Sequence, residues 1–502
     1  MNLATKFADS ARQNAEKIAV YWGERTYSYG ELSSQSCFLA GVLRQKYNVQ
    51  PGDRVGLWLK NCPEFITALF GILQAGAVVV PINNFLKPAE VGFILEDAGI
   101  DTLITDTELG GHFSALLLLR PVLALLNAEA VLASYPAPPA GVNFETETIR
   151  NPNRQETDLA VLIYTSGTTG RPKGAMLSHG NLLHNVESCR LCLHTLAEDR
   201  FAALLPLFHS YMVTVGILLP LLLGASIVLV KSLHPPRNAL QEIFARRATV
   251  LPAIPPFFRH LVQADVPVPL PLRFCISGSA PLPLQVLQAF EKKFGIPLIE
   301  GFGLSEASPV VTFNPLDGTC KAGSVGLPIP NVEVSVQDET GAALGPDATG
   351  EICVRGGNVM LGYWNQPAET AKAFRKDWLL TGDIGHRDAD GYYYITDRKK
   401  DMLLVNGNNV YPREIEEVIH HFPGVKEAAV IGRPDARRGE IPVAFVVANE
   451  GAALDAEALR QFIRSQLADY KVPKQIVLLP ALPRNATGKI LKTELRKQTV
   501  AD

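Results

Sequence analysis

The chain has 502 residues, 47% hydrophobic and 19% charged, a composition that excludes a disordered or fibrous protein and supplies core enough for two or more domains. Its 47 basic and 50 acidic residues give a formal charge of −3, so no global field favours nucleic acid, and no nucleic-acid role is expected. Seven cysteines, an odd number in so long a chain, argue against a disulfide framework and for a reducing compartment.

The first residues, "MNLATKFADSARQNAEK", are polar and amphipathic with no apolar signal-peptide core, which predicts a cytoplasmic protein. Two apolar stretches follow along the chain, Phe65 to Val80 and Val213 to Val230. The first breaks at Gly76 and the second at Pro220 and Gly224, so neither is a run of about twenty suited to a bilayer. Each reads as a buried helix, a tight Gly-Ala turn and a β-branched strand, "GAVVVP" and "GASIVLV". That unit used twice predicts two layered α/β halves around parallel sheets.

Between them, Val161-Leu162-Ile163 reads as a buried strand running into "YTSGTTGRPKGAMLSH", residues 164 to 179. Small hydroxyl side chains, backbone N–H groups exposed at glycines, and a lysine make a cradle for phosphate oxygens. The P-loop pattern does not fit, because Pro172 separates Arg171 from Lys173 where a P-loop opens its helix. A phosphate flap is expected instead of a helix-capped nest, with a plain glycine-rich turn as the competing reading. Asn181 to Leu196 looks helical and carries Cys189 and Cys192, a C-x-x-C with no second pair nearby, read as core packing rather than zinc or redox chemistry.

Further on, "NVEVSVQDETGAALGPDATGEICVRG", 331 to 356, is β-rich, with Val332, Val334 and Val336 alternating and a hairpin turn at Asp338 to Gly341. Runs such as Arg398-Lys399-Lys400 and Arg437-Arg438 read as solvated loops. The organisation changes near residue 397. The remaining hundred or so residues form a plausible independent domain, with strands at Ala428 to Gly432 and Val443 to Ala448 and helices at Pro412 to His421 and Asp455 to Leu467. Pro412 suits the first turn of its helix, with Glu414, Glu416 and Glu417 near the positive end.

Five more clusters carry polar chemistry: "LPLFHSY" at 205 to 211, "SGSAPLP" at 277 to 283, "EGFGLSEAS" at 300 to 308, "LLTGDIG" at 379 to 385 and "PRNATGKI" at 483 to 490. Singly, each reads as a turn, a core histidine or an exposed loop. Together, in this order and spacing, they resemble the AMP-forming acyl-CoA synthetase and adenylation superfamily. The resemblance runs from "RTYSYGELSSQS" at 25 to 36 through the final lysine motif, and "KDMLLVNGNNVYPREIEEVI" at 400 to 419 looks most like the fatty-acyl-CoA ligase branch.

That resemblance implies an α/β fold: a large N-terminal domain of layered α/β subdomains plus a β-rich subdomain over 1–399, and a small mobile α+β domain over 400–502. It implies activation of a carboxylic acid by MgATP to an acyl-adenylate, then transfer to coenzyme A. Two anions must meet in the first step, and their repulsion at about 4 Å, about 1 kcal/mol in water, is several-fold larger in a low-dielectric site. Lys489 is implied as the cation between them, with Glu306 and Thr165 holding Mg2+. Thr165, Ser166, Gly167, Thr168, Thr169 and Lys173 are implied for the β- and γ-phosphates. Phe302 would stack on adenine, lined by the backbone at Gly278, Ser279, Ala280, Glu300 and Gly301, while Ser305 reaches the α-phosphate. Asp383, aided by Arg398, would accept from the ribose hydroxyls. This chain has Phe302 where many relatives have tyrosine, and Ser305 where they have threonine.

For the thiol step the small domain would rotate about Lys400 and present Gly407 to the thiol tunnel, with His209, Gly278 and Gly303 on the acyl and thiol side. Residues from Tyr211 to Gly216 and Phe274 to Ile276 contain no lysine, arginine or acid, so no partner is evident for the ammonium of an amino acid. An apolar acid is expected, fatty or aromatic. A carrier protein in place of coenzyme A, a peripheral membrane contact, a luciferase-like monooxygenase and a non-catalytic nucleotide- or lipid-binding relative are the alternatives.

Overall fold

The computed structural model describes residues 1–135, 153–166, 172–231, 237–266, 268–406, 408–435, 437–484 and 489–498. The chain divides into two compact units, the first comprising 1–320, 326–333 and 354–379, the second 321–325, 334–353 and 380–502.

The first unit is built on two large sheets, as the repeated helix-turn-strand unit predicts. In the nine-stranded sheet, parallel strands run Leu298–Gly303, Phe274–Ser277, Val250–Ala253, Arg200–Ala203, Ser226–Leu229 and Ile18–Trp22, with antiparallel strands at both edges. In the seven-stranded sheet, Leu159–Ser166, Val78–Pro81, Arg54–Trp58, Thr102–Thr105 and Ala124–Asn127 are parallel. The central strands are buried on both faces and so read as continuous β-branched runs.

The apolar stretch after Cys62 is the helix Pro63–Gln74, buried along nearly its whole length, and Gly76 turns it into Val78–Pro81 with φ of 81°. The second stretch differs from an ordinary helix: Met212–Leu218 is a wide π-helix continued by the short α-helix Leu219–Leu222. Its every residue is buried, and Thr214 donates to the Ser308 carbonyl at 2.7 Å. Cys189 and Cys192 lie on the helix His179–Leu193, Cys189 wholly buried.

The second unit holds a five-stranded sheet ordered Asn408–Val410, Leu403–Val405, Gly439–Ala448, Val425–Asp435, with Gln475–Leu478 beside Gly439–Ala448. Helices Pro412–His420 and Ala456–Gln466 cover it through Ile415, Ile419, Leu459 and Ile463. Proline stands at the start of the first, and Asp455 caps the second through two backbone N–H groups. The hairpin of Trp378–Arg387 with Tyr393–Arg398 packs in this unit because Arg413 donates its backbone N–H to Asp397 at 2.8 Å and a guanidinium N–H to the Ile395 carbonyl at 2.7 Å. Packing therefore groups 380–502 with the earlier segments 321–325 and 334–353, and Lys400 lies inside this second unit. Among the described residues no helix is long and apolar enough to cross a membrane.

Candidate active site

In open parallel sheets, ligand-binding loops gather beyond the carboxyl ends of the strands. The first unit follows this rule. Gly278 follows Phe274–Ser277, Phe302 lies at the end of Leu298–Gly303, His209 comes after Arg200–Ala203, and Ser166 ends Leu159–Ser166.

The strands on either side of the glycine-rich stretch, Leu159–Ser166 and Pro172–Ser178, pair antiparallel and set Thr165 opposite Lys173. The residues that follow, Pro172–Ser178, form a strand, so no helix opens at Lys173. Gly167, Thr168 and Thr169 lie outside the described residues, as does the side chain of Ser166. Next to the last described pair of this hairpin, Lys173 is 9% exposed and pairs with Glu369. Its Nζ stands 5.2 Å from the centre of the Tyr363 ring.

Tyr363 belongs to a two-residue strand, Gly362–Tyr363, paired with Ala175 and Met176. From there its hydroxyl donates to Glu306 Oε1 at 2.9 Å, while Met360 N–H donates to the Glu306 carbonyl at 2.8 Å. Burial, with the charge of Glu306, raises the phenol's pKa, so it remains a donor at neutral pH. Thr165 and Glu306 are both half-buried hard oxygen donors, which suits Mg2+.

Ser305 and Ser210 face each other, Oγ to Oγ at 2.9 Å, which brings the "LPLFHSY" and "EGFGLSEAS" segments together. Glu300 is buried and accepts from Leu282 N–H at 2.9 Å, tying the loop after Gly278 to the neighbouring strand. Ser279 in that loop is exposed at φ of 67°, a backbone region uncommon for a residue other than glycine, and Ala280 is half-buried. Phe302 is half-buried. A Cβ at Gly301 would meet the Phe313 ring at 2.3 Å, and one at Gly303 the Pro309 carbonyl oxygen at 2.1 Å. Packing alone accounts for glycine at both positions.

His209 is half-buried at the entry to the π-helix, and its Nδ1 accepts from Tyr211 N–H at 3.3 Å. The Tyr211 ring lies against Gly278, where a Cβ would sit 3.5 Å from it, and the wall continues through buried Met212, Val213 and Val215. These are the apolar surroundings read from the sequence.

In the second unit, Asp383 and Arg398 sit opposite each other in their hairpin, and Arg398 Nε meets Asp383 Oδ1 at 2.7 Å. Lys399 pairs with Glu351 at 3.0 Å. The basic run expected to be a solvated loop is thus partly committed to ion pairs, because Arg398 and Lys399 each meet a carboxylate from another strand. Lys400 is exposed. It stands between Lys399, whose N–H donates to Gly382, and Asp401, which pairs with Arg496 at 2.7 Å.

Lys489 shares the neighbourhood of Asp383 and Arg398. Desolvation, then the positive charges of Arg398 and Lys400, draws its ammonium down to about 8 against the opposing pull of Asp383 and Asp401. Its surface is nonetheless open to solvent, so protein mass crowds this group without sealing it off. Gly407 lies outside the described residues.

Tyr363, Glu369 and Ser210 were not read from the sequence as site residues. The first two lie in "GYWNQPAET", where an aromatic and an acid in a turn-forming stretch were the one local signal available.

Comparison with known proteins places this geometry among relatives. Residues 7–364 match the family AMP-binding enzyme, and residues 414–489 match the AMP-binding enzyme C-terminal domain. A long-chain-fatty-acid–CoA ligase of Bacillus subtilis is 36% identical over 99% of this chain and 94% of its own length. A feruloyl-CoA synthase of Amycolatopsis sp. is 35% identical over 97% of both chains. ATP-bound MatB from Rhodopseudomonas palustris superposes with a TM-score of 0.90 at 33% identity, covering 99% of each chain.

Proposed function

The chain belongs to the AMP-binding enzyme family, and from that premise we propose that it is an AMP-forming ligase joining a fatty acid to coenzyme A. The acid attacks the α-phosphorus of ATP, giving an acyl-adenylate and pyrophosphate; the thiol of coenzyme A then attacks the acyl carbon and expels AMP.

The observation that carries this reading is the grouping of Asp383, Arg398 and Lys489. Asp383, anchored by Arg398, accepts from the ribose diol. Lys489, with its pKa drawn down to about 8, is a cation on a long stem that can shield the carboxylate from the α-phosphate. A protein that only binds nucleotide has no need of such a lysine. Glu306 and Thr165 would hold Mg2+, which would supply charge neutralisation for the phosphates. Lys173 holds the terminal phosphates, and Ser305 donates to the α-phosphate. The apolar residues from Tyr211 to Gly216 and from Phe274 to Ile276 receive the acyl chain, with His209 at its carboxylate end. A pivot at Lys400, between an anchored Lys399 and an anchored Asp401, separates the two half-reactions in time.

The feruloyl-CoA synthase relative favours a second reading, an aromatic acid in the same apolar surroundings. The test is pyrophosphate release from MgATP across straight-chain, aromatic and amino acids, with and without coenzyme A, following the thioester in parallel. Fatty acids giving pyrophosphate and then thioester support the proposal. Preference for hydroxycinnamates moves it to the aromatic reading. Adenylate that coenzyme A leaves untouched replaces coenzyme A with a carrier protein, and silence with every acid revives a non-catalytic binder.

A further inference from the structure

We propose that Glu369 is an exchange counterion for Lys173: the lysine leaves this carboxylate when the terminal phosphates of ATP arrive and returns to it as pyrophosphate departs. The inference rests on the assignment of Lys173 to those phosphates.

Lys173 is nearly buried, and an ammonium removed from water needs a negative partner in every state of the cycle. In the structure that partner is Glu369, reached across the face of Tyr363. Glu369 is built to let go. Its side chain keeps 25% of its surface exposed, and its other oxygen pairs at 2.7 Å with Lys372, which is 74% exposed. When Lys173 swings away, the carboxylate retains a cation and water, so no charge is stranded. Hydrogen bonds from Lys173 and Lys372 hold the Glu369 carboxyl at about 2, which keeps it charged throughout the neutral range.

The exchange also answers a problem specific to this reaction. Pyrophosphate carries more charge per atom than ATP and must still leave after each turnover. A carboxylate competing for the same lysine weakens the hold on both polyphosphates and speeds the departure of the second. An ion pair open to solvent on one side is worth up to a factor of about five in an equilibrium.

Equilibrium binding of inorganic pyrophosphate and of MgATP is measured for the wild type, Glu369→Gln, Glu369→Asp, Lys173→Ala and the double variant Lys173→Ala/Glu369→Gln. Glu369→Gln keeps the shape and removes the charge. Expected are pyrophosphate and MgATP binding about fivefold tighter, with stronger product inhibition by pyrophosphate, and a return toward wild type in Glu369→Asp. If Lys173→Ala weakens both ligands while Glu369→Gln leaves them unchanged or weaker, the exchange is wrong and the phosphate role of Lys173 stands. Should Lys173→Ala bind both ligands like the wild type, the phosphate role fails and takes the inference with it. If the tightening persists undiminished in the double variant, plain repulsion by the carboxylate is at work, and the exchange is again overturned.

Discussion

Tyr363 donates its phenolic hydrogen to Glu306 at 2.9 Å while the face of the same ring lies 5.2 Å from the ammonium of Lys173. One side chain thus touches the lysine expected to hold phosphate and the carboxylate expected to hold the metal. Tyr363→Phe removes only the hydroxyl. We predict a fall of about tenfold in pyrophosphate release at limiting Mg2+, the scale of a hydrogen bond to a charged group, partly recovered by raising Mg2+. An unaltered Mg2+ dependence would mean that the hydroxyl does not orient Glu306.

As the proposed cation of the adenylation step Lys489 would act only while protonated, and its pKa is drawn down from 10.5 to about 8. The charged fraction falls as pH rises through 8, so kcat/KM for adenylation should lose activity along a limb centred near that pH. In kcat, which reports the complex, the limb should move upward because the anionic substrates favour the ammonium. A flat kcat/KM between pH 7 and 9.5 would contradict the assignment.

The half-reactions should separate by mutation. Proline at position 400 fixes φ at the proposed pivot, so Lys400→Pro is expected to spare adenylate formation and slow thioester formation. Lys489→Ala is expected to do the reverse, slowing adenylation while leaving transfer from preformed acyl-adenylate. Single-turnover assays of each step decide the matter, and equal losses in both steps for Lys400→Pro remove the pivot.

His179 concerns stability. It is buried, accepts from Leu3 N–H at 3.3 Å, and is pulled from 6.5 to about 4 by desolvation and then by Arg154. The unfolded chain therefore takes up a proton that the folded chain refuses. The associated stability is fully present above pH 6.5 and is lost as pH falls through 4, on the order of 3 kcal/mol in all. His179→Gln cannot titrate, so its urea unfolding should converge on the wild type as pH falls from 7 to 4. Parallel curves over that range would refute the shift.

Much of this arrangement was legible in the sequence because it is local. Proline and acids mark the start of Pro412–His420, and Gly76 and Gly224 announce turns that the backbone makes at φ of 81° and 80°. The strand through Val161-Leu162-Ile163 was read from its apolar run, whereas its antiparallel partner Pro172–Ser178 was not. Other features were hidden for physical reasons. Every residue of Met212–Leu218 is buried, so no polar face exists to reveal whether the coil is α or π. Tyr363 and Glu369 acquire their partners only because a two-residue strand crosses to Ala175 and Met176, and no periodicity near 363 reports a pairing so distant in sequence. The ion pairs of Arg398 and Lys399 were obscured in the same way, by carboxylates that arrive from other strands.

The pairing of Ile18–Trp22 with Ser226–Leu229 has a consequence for biosynthesis. The parallel neighbour of this early strand is made some two hundred residues later, so on the ribosome it waits ~10–40 s, at roughly 5–20 residues per second, before the pair can form. Its other neighbour, Arg25–Ser28, is available at once and pairs with it antiparallel. That hairpin shields one edge of the nascent strand, while the other keeps its backbone donors and acceptors unpaired until Ser226–Leu229 is made.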